Sequence, residues 1–286
     1  MNQPVLSKKT LLAIALAAGV GYQAGAYAEI TVGATLTVTG PASALGVPMR
    51  QGLEIWPSEI AGEKINLTIL DDGGDPSAST RNARKFVTEG NVDLLLGSNT
   101  TPTGMAVSSV AQEARIPHFA FAPIPLQADK SRYTFVIPQS VGLMAQAVVK
   151  DMKSRGLKRI GFIGFSDPWG EQWLAALTKG FAGSDIKIVA DEKYGRADTS
   201  VTGQVLKLIS ARPDAVFIAG SGTGAALPQE RWPSAATRAG LSIPRCRLGA
   251  VPQGGRQVGR GCGAADRAGA AAQATPRQPS VQEGGR

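Results

Sequence analysis

Residues 65–122 read INLTILDDGGDPSASTRNARKFVTEGNVDLLLGSNTTPTGMAVSSVAQEARIPHFAFA, and this stretch decides the fold class. It alternates apolar runs of strand length, at residues 65–71, 92–97 and 118–122, with segments of helical period, at residues 76–89 and 103–114. Such alternation is typical of parallel α/β units, in which a helix connects two strands of one sheet. Asp75 before Pro76 supports the first helix, because an N-cap followed by proline is a common helix start.

The same alternation continues on both sides of that stretch. It predicts further strands at residues 30–38, 159–165, 186–194 and 214–219, and further helices at residues 46–60, 141–155, 169–181 and 200–211. Residues 133–138 are interpreted as a strand that links two sets of such units. We therefore predict an α/β protein of two Rossmann-like lobes, each a parallel sheet flanked by helices, at residues 29–138 and 139–229.

The two ends of the chain differ from this body. Lys8 and Lys9, an apolar run over residues 11–20 and then Ala26-Tyr27-Ala28 have the order of a secretory signal peptide. We expect residues 1–28 to be removed and the mature chain to begin at Glu29, in the periplasm. Residues 230–286 are rich in Gly, Ala and Arg and contain too little apolar material for a packed core, which predicts disorder there.

Charge and rare residues argue against several classes of function. The net charge is +8, but residues 29–229 contain as many acidic as basic side chains, so nucleic acid is not an expected partner. Cys246 and Cys262 lie in the tail, and His118 is the only histidine. We therefore expect no metal site, no cofactor and no catalytic residues, and a structural or solvated role for His118.

The carboxyl ends of the predicted strands indicate where a ligand would bind, since ligands of open parallel sheets gather there. The loops at these ends cover residues 39–45, 71–75, 98–103, 121–125, 166–170 and 220–224. They are rich in small polar residues, and several open a helix, where free N–H groups suit an anion such as a carboxylate. Asp71, Asp72 and Asp75 in the second loop are interpreted as turn and cap residues.

Five segments in this order carry a resemblance to a known family: ITVGATLTVTGPASALG, LDDGGDPSASTRNARKFV, VDLLLGSNTTPTGMAVSSVAQEARIP, GFIGFSDPWGE and DTSVTGQVLKLISARPDAVFIAGSGTGAALPQ. The chain resembles the leucine/isoleucine/valine-binding proteins, the type I periplasmic binding proteins. The resemblance implies two lobes, a cleft that closes on a small ligand, a monomer, and delivery to an ABC permease in the inner membrane. It also implies that the second lobe is incomplete, because family members return to the first lobe after this point.

The same resemblance implies the ligand-binding residues. Asn99, Thr100 and Thr101 correspond to the loop that holds a ligand carboxylate, although they could instead cap the following helix. Ala120 and Ala122 follow the next strand, where the family usually has a Ser or Thr at the position of Ala122.

From the second lobe the resemblance implies Trp169, before Gly170, and Thr223. Trp169 could instead only pack between helix and sheet. The acidic residue that many members use for an α-ammonium group is absent from GSGTGAAL at residues 220–227. The expected ligand is therefore an amino acid or a carboxylate without an amine, such as an aromatic acid.

Three alternatives accompany this interpretation. GSGTGA imitates a dinucleotide fingerprint, but it follows a late strand and lacks the later acidic residue. GFSDP lacks the second glycine of a serine hydrolase elbow. A ligand-sensing module that serves a separate receptor is the remaining alternative. For the tail, a second hypothesis is a lost reading frame, since shifted codons for parts of it can give family-like segments.

Overall fold

The computed structural model describes residues 29–127, 129 and 131–232. The predicted signal peptide and nearly all of the tail lie outside these residues. By internal contacts the chain forms two compact units, of which the smaller includes residues 57–66 and the larger includes residues 31–56 and everything described after residue 66. In the larger unit one sheet lies before residue 138 and a three-stranded parallel sheet lies after it. A lobe boundary at residue 138 stays a prediction, because both sheets belong to one unit.

Strands and helices alternate along the chain. The strands are β1 (Ile30–Leu36), β2 (Glu59–Ile60), β3 (Glu63–Asp71), β4 (Leu94–Gly97), β5 (His118–Ala120), β6 (Thr134–Val136), β7 (Arg159–Phe165), β8 (Lys187–Tyr194) and β9 (Ala215–Ala219). The helices are α1 (Ser43–Glu54), α2 (Pro76–Thr88), α3 (Thr101–Ala114), α4 (Val141–Ser154), α5 (Pro168–Phe181), α6 (Thr202–Ser210) and α7 (Leu227–Glu230), with a 3-10 turn at Gly222–Ala225. The predicted α/β fold class is confirmed.

The first sheet has the order β3-β1-β4-β5-β6, and the pairs from β1 to β6 are parallel. Val32 of β1 is in register with Leu94 of β4. The last five residues of β1 and the last three of β4 are all buried. Continuous burial is expected of central parallel strands that helices cover on both faces.

The second sheet has the order β8-β7-β9 and is also parallel. Its centre, β7, is buried over its last six residues. Phe162 of β7, Trp173 of α5 and Phe217 of β9 pack together in one hydrophobic core, with ring centroids 4.8 Å apart between Trp173 and Phe217. This apolar contact holds α5 against the sheet.

Side-chain caps start four of the helices. Asp75 accepts from the Ser77 N–H and Pro76 follows it, which confirms the predicted start of α2. Thr100, Ser140 and Asp167 cap α3, α4 and α5 in the same way. Each cap satisfies an N–H group that has no partner within the helix.

The predicted helix at residues 46–60 is wrong in its second half. α1 ends at Glu54, and β2 and the start of β3 form an antiparallel hairpin instead. The residue before Pro57 is disfavoured in a helix. Ala61 and Gly62 then adopt positive φ angles of 53° and 88°, as a two-residue hairpin turn requires.

None of the helices in the described part of the chain combines the length and the apolar character needed to cross a bilayer.

Candidate functional site

Both sheets have a point where the strand connections change direction. In the first sheet this point lies between β1 and β4, and in the second it lies between β7 and β9. Loops on either side of such a point diverge and leave a crevice beyond the carboxyl ends of the strands. The candidate site is therefore expected where the loops after these strands meet.

A cavity of about 130 Å³ lies among these loops. From the first sheet it is lined by Pro41, Ala42, Gly73 and Gly74. From the second sheet it is lined by Phe165, Arg196, Ala197, Ser221 and Gly224. Its volume is below the roughly 300–1,000 Å³ of pockets for drug-sized ligands, so it suits a small molecule.

Arg196 is the only charged residue among those that line the cavity. Its Nε donates to Asp167 Oδ2 at 2.5 Å, and one terminal nitrogen donates to Ser221 Oγ at 3.2 Å. Its guanidinium carbon lies 4.2 Å from the centroid of the Phe165 ring, a cation–π distance. Its side chain is only 17% exposed. These contacts hold the cation in one place at the cavity wall.

Asp167 connects this cation to a helix start. Its Oδ1 accepts from the N–H groups of Trp169 and Gly170, while its Oδ2 pairs with Arg196. The positive N-terminal end of α5 and the guanidinium therefore share one carboxylate. Because the carboxylate also interacts with the helix end, Asp167 neutralises the positive charge of Arg196 only in part.

Tyr194 forms a hydrogen bond with Gly224, one of the residues that line the cavity. Its phenol donates to the Gly224 carbonyl at 3.0 Å, and burial raises the pKa of Tyr194 above its usual range. The nearby charge of Arg196 lowers this pKa and that of Asp167 raises it, but burial has the larger effect. The phenol therefore stays protonated and acts as a donor that fixes Gly224.

Asp71 organises the first-sheet side of the cavity. It accepts from the N–H groups of Val38, Thr39 and Gly73 and from the Thr39 hydroxyl. Burial raises the pKa of Asp71, but these hydrogen bonds outweigh burial and lower it below the ordinary value.

Asp72 is 2% exposed, and its carboxylate accepts from five donors. They are the hydroxyls of Thr35, Thr37, Ser79 and Ser98 and the N–H of Gly74. This confirms the interpretation of the aspartates as turn and cap residues. Within the described residues, no group of three or more His, Cys, Asp or Glu side chains is arranged to hold a metal ion.

The three residues expected to hold a carboxylate are buried and bonded to other residues of the first-sheet region. They are Asn99, Thr100 and Thr101. Asn99 Oδ1 accepts from the Thr37 N–H at 2.7 Å, and Thr101 Oγ1 donates to the Pro123 carbonyl at 3.2 Å. Thr100 forms a capping box with Thr103. The alternative role of this segment in capping is therefore confirmed for Thr100, and a contact with ligand stays a prediction.

Ala120, Ala122 and Trp169 are also buried side chains. The two alanines pack with Ile124 in a small apolar cluster. Trp169 is 8% exposed, and its ring meets that of Trp173 edge-on at 5.9 Å. Trp169 therefore packs in the hydrophobic core, as the alternative to a ligand contact predicted.

Thr223 connects the loops of the two sheets. Its hydroxyl donates to the Pro41 carbonyl at 2.9 Å. Gly222 beside it has a φ of 62°, and an added Cβ there would lie 3.0 Å from the same carbonyl oxygen. None of the seven residues implied by the resemblance lines the cavity, but Thr223 holds one of its lining residues.

Sequence reasoning missed Arg196, although a signal for it exists. Arg196 follows β8 by two residues, at the carboxyl end of a parallel strand. The predicted ligand-binding loops follow the strands beside β8 and do not include the loop after β8 itself. Phe165 and Ser221, in contrast, lie within or next to the loops at residues 166–170 and 220–224 that the rule selected.

Comparison with known proteins gives the family. The family model described as "Periplasmic binding protein" matches residues 29–277. The chain belongs to the periplasmic binding protein family. The matched range includes most of the tail, which lies outside the described residues.

Individual members of the periplasmic binding protein family agree with this assignment. The chain is 29% identical over 232 residues to the Leu/Ile/Val-binding protein homolog 3 of Brucella melitensis, covering 75% of this chain and 61% of the relative. An extracellular ligand-binding receptor from Rhodopseudomonas palustris HaA2 superposes with a TM-score of 0.71 at 47% identity, covering 75% of this chain and 60% of that one.

A solute-binding protein of an R. palustris ABC transporter, solved in complex with benzoate, has a TM-score of 0.66 at 23% identity, covering 75% of this chain and 61% of that one. The likeness at this identity concerns the fold. The chain spans about three-fifths of the length of these relatives.

Proposed function

We propose that this chain is the solute-binding component of an ABC uptake system. It captures a small carboxylate in the cavity between the loops of the two sheets and delivers it to a permease in the inner membrane. The observation that carries this proposal is the position of Arg196, a cation held at the cavity wall where the carboxyl ends of both sheets meet. Family membership supports the same function.

The location and assembly follow from the same proposal. A capture protein acts on the outer side of the inner membrane, and the signal-like residues 1–28 would take it to the periplasm. A monomer is proposed from the family resemblance. The seven residues implied by that resemblance remain proposed ligand contacts, with Thr223 supported by its contact to a lining residue.

The ligand class has two candidates. A relative named as a Leu/Ile/Val-binding homolog favours an amino acid. The absence of an acidic side chain from the cavity wall favours a carboxylate without an amine. At 23% identity the solved complex with benzoate supports only the fold and not the ligand of this chain. Benzoate is therefore one of the probes in the test below.

A thermal-shift screen of the full chain tests the proposal. The probes are L-leucine, L-valine, L-phenylalanine, benzoate and 4-hydroxybenzoate. At 100 times its dissociation constant a ligand adds about 2.7 kcal/mol to the free energy of unfolding. For a body of this size we expect a rise of roughly 5–10 °C in the midpoint, saturable with concentration. A chain that unfolds cooperatively, yet at the same temperature with every probe, would contradict the proposed function.

A further inference from the structure

We infer that Arg196 is the carboxylate anchor of this cavity, and that the site is built for a carboxylic acid without an α-amine. This inference rests on the proposed function and narrows its ligand class. Four features of the cavity carry it: the free donor capacity of Arg196, its fixed position, the polarity of the wall, and the state of the nearby carboxylates.

Arg196 has donors to spare. A guanidinium carries five N–H groups on three nitrogens. Its described hydrogen bonds use Nε, toward Asp167, and Nη1, toward Ser221. Among the residues that the structure describes, Nη2 has no hydrogen-bond partner. A carboxylate that reaches Nη2 can accept from it without breaking either existing bond.

The fixed position of Arg196 makes this donor efficient. Asp167, Ser221 and the Phe165 ring hold the guanidinium on three sides. Ordering a free arginine side chain on binding would cost conformational entropy. Here the side chain is already ordered in the folded protein, so the guanidinium is preorganised for an anion.

The rest of the wall favours an apolar ligand body. Apart from Arg196 and Ser221, the lining residues are glycine, alanine, proline and phenylalanine. Phe165 is 1% exposed, and its ring lies beside both the guanidinium and the ring of Tyr194. A small acid with an apolar body therefore meets complementary groups at both of its ends.

The cavity wall offers no charged partner for an α-ammonium group. No carboxylate side chain lines the cavity. Asp71 and Asp72, in the loop that supplies Gly73 and Gly74, already accept four and five hydrogen bonds. Burying an ammonium without a compensating acceptor is costly, so the cavity disfavours an amino acid relative to the matching amine-free acid.

Isothermal titration calorimetry of the full chain with matched probes tests the inference. 3-Phenylpropanoate differs from L-phenylalanine, and 4-methylpentanoate from L-leucine, only by the α-amine. Benzoate differs from benzamide only in the charged group. We expect the amine-free acid of at least one pair to bind at least tenfold more tightly than the amino acid, and we expect no binding of benzamide.

Variants then test the role of Arg196. Arg196→Gln should weaken the preferred acid by about 10- to 100-fold, the effect of losing a hydrogen bond to a charged group. Arg81→Gln is the matched control, since Arg81 lies on α2 with a 70% exposed side chain and should not change the affinity. Arg196→Lys keeps the charge but loses the fork, and we expect an intermediate loss. Unfolding midpoints without ligand show whether each variant is folded.

The outcomes separate this inference from the proposed function. Tighter binding of L-leucine or L-phenylalanine than of its amine-free partner would overturn the inference and leave the proposed function standing. Equal affinity of a folded Arg196→Gln or Arg196→Lys variant for the preferred acid would do the same. No saturable binding of any probe would overturn the proposed function, and the inference with it.

Discussion

His118 shows how a polar side chain acts as a core residue. It is fully buried, and its Nε2 contacts the Gly97 carbonyl while its Nδ1 lies 3.2 Å from Thr134 Oγ1. A carbonyl only accepts, so Nε2 carries the proton and Thr134 donates to Nδ1. Ser108 in turn is 2.8 Å from Thr134 Oγ1. The histidine thus ties β5 to the ends of β4 and β6, which confirms its expected structural role.

The pKa of His118 predicts a pH dependence of stability. Burial lowers this pKa to about 4, and the hydrogen bond to Gly97 opposes burial only in part. The unfolded chain, with a histidine pKa near 6.5, binds the proton first as pH falls. We expect the free energy of unfolding to fall between pH 6.5 and 4, by up to about 1.4 kcal/mol per pH unit. Urea unfolding across this range measures it.

His118→Gln is the control for that slope, because glutamine does not titrate. The lowered pKa values of Asp71 and of Asp214, whose carboxylate accepts from the N–H groups of Lys158 and Arg159, place their own effects at lower pH. An equal slope in wild type and variant would assign the pH dependence to other groups.

At the scale of elements, α1 depends on a close approach to the end of β1. A Cβ at Gly46 would lie 1.9 Å from the Thr37 carbonyl oxygen, which is backbone and has little freedom to move. The Thr37 N–H is in turn held by Asn99 Oδ1. Gly46 therefore allows α1 to pack on the loop that leads to the candidate site.

Two glycines of α1 give a matched prediction. Gly46→Ala should lower the free energy of unfolding by roughly 2–3 kcal/mol, because the backbone must shift to admit the methyl group. Gly52→Ala has no atom within 4 Å of the new Cβ and should raise stability by up to about 1 kcal/mol, through helix propensity. Denaturant unfolding compares the two. Similar effects of both substitutions would mean that α1 does not pack as described.

The hairpin of β2 and β3 shows where element prediction failed. Residues 46–60 have a helical period, and the break after Glu54 depends on Pro57 and on two positive φ angles. A positive φ angle is common for a glycine such as Gly62, but it is unusual for an alanine, so the sequence does not predict it at Ala61. A two-residue strand of exposed side chains has no alternation long enough to detect.

At the scale of the whole molecule, the loops of the two sheets touch through Thr223 and Pro41. Ligand binding in a cleft is favoured when the arrangement that binds is already populated. One neutral hydrogen bond contributes about 0.5–1.5 kcal/mol. We therefore expect the Thr223 hydroxyl to favour the arrangement in which the cavity is formed.

Thr223→Val tests this bias, since valine keeps the shape and removes the hydroxyl. We expect the affinity for the best ligand of the thermal screen to fall about 2- to 10-fold, mainly through faster dissociation. Thr202→Val is the control, because Thr202 is exposed at the start of α6 and its hydroxyl contacts that of Ser200 and no other group among the described residues. Unchanged dissociation from the Thr223 variant would exclude this contact as a determinant of the bound arrangement.

The sequence by itself determined the fold class, the order of the main strands and helices, and most of the loops that carry the candidate site, but not the loop of Arg196. It did so because apolar periodicity and caps such as Asp75 are local properties of the chain. Only the tertiary structure decided that Arg196 faces the cavity while Thr100 and Trp169 serve the core. That choice depends on partners far apart along the chain, such as Asp167, 29 residues from Arg196, and Pro41, 182 residues from Thr223.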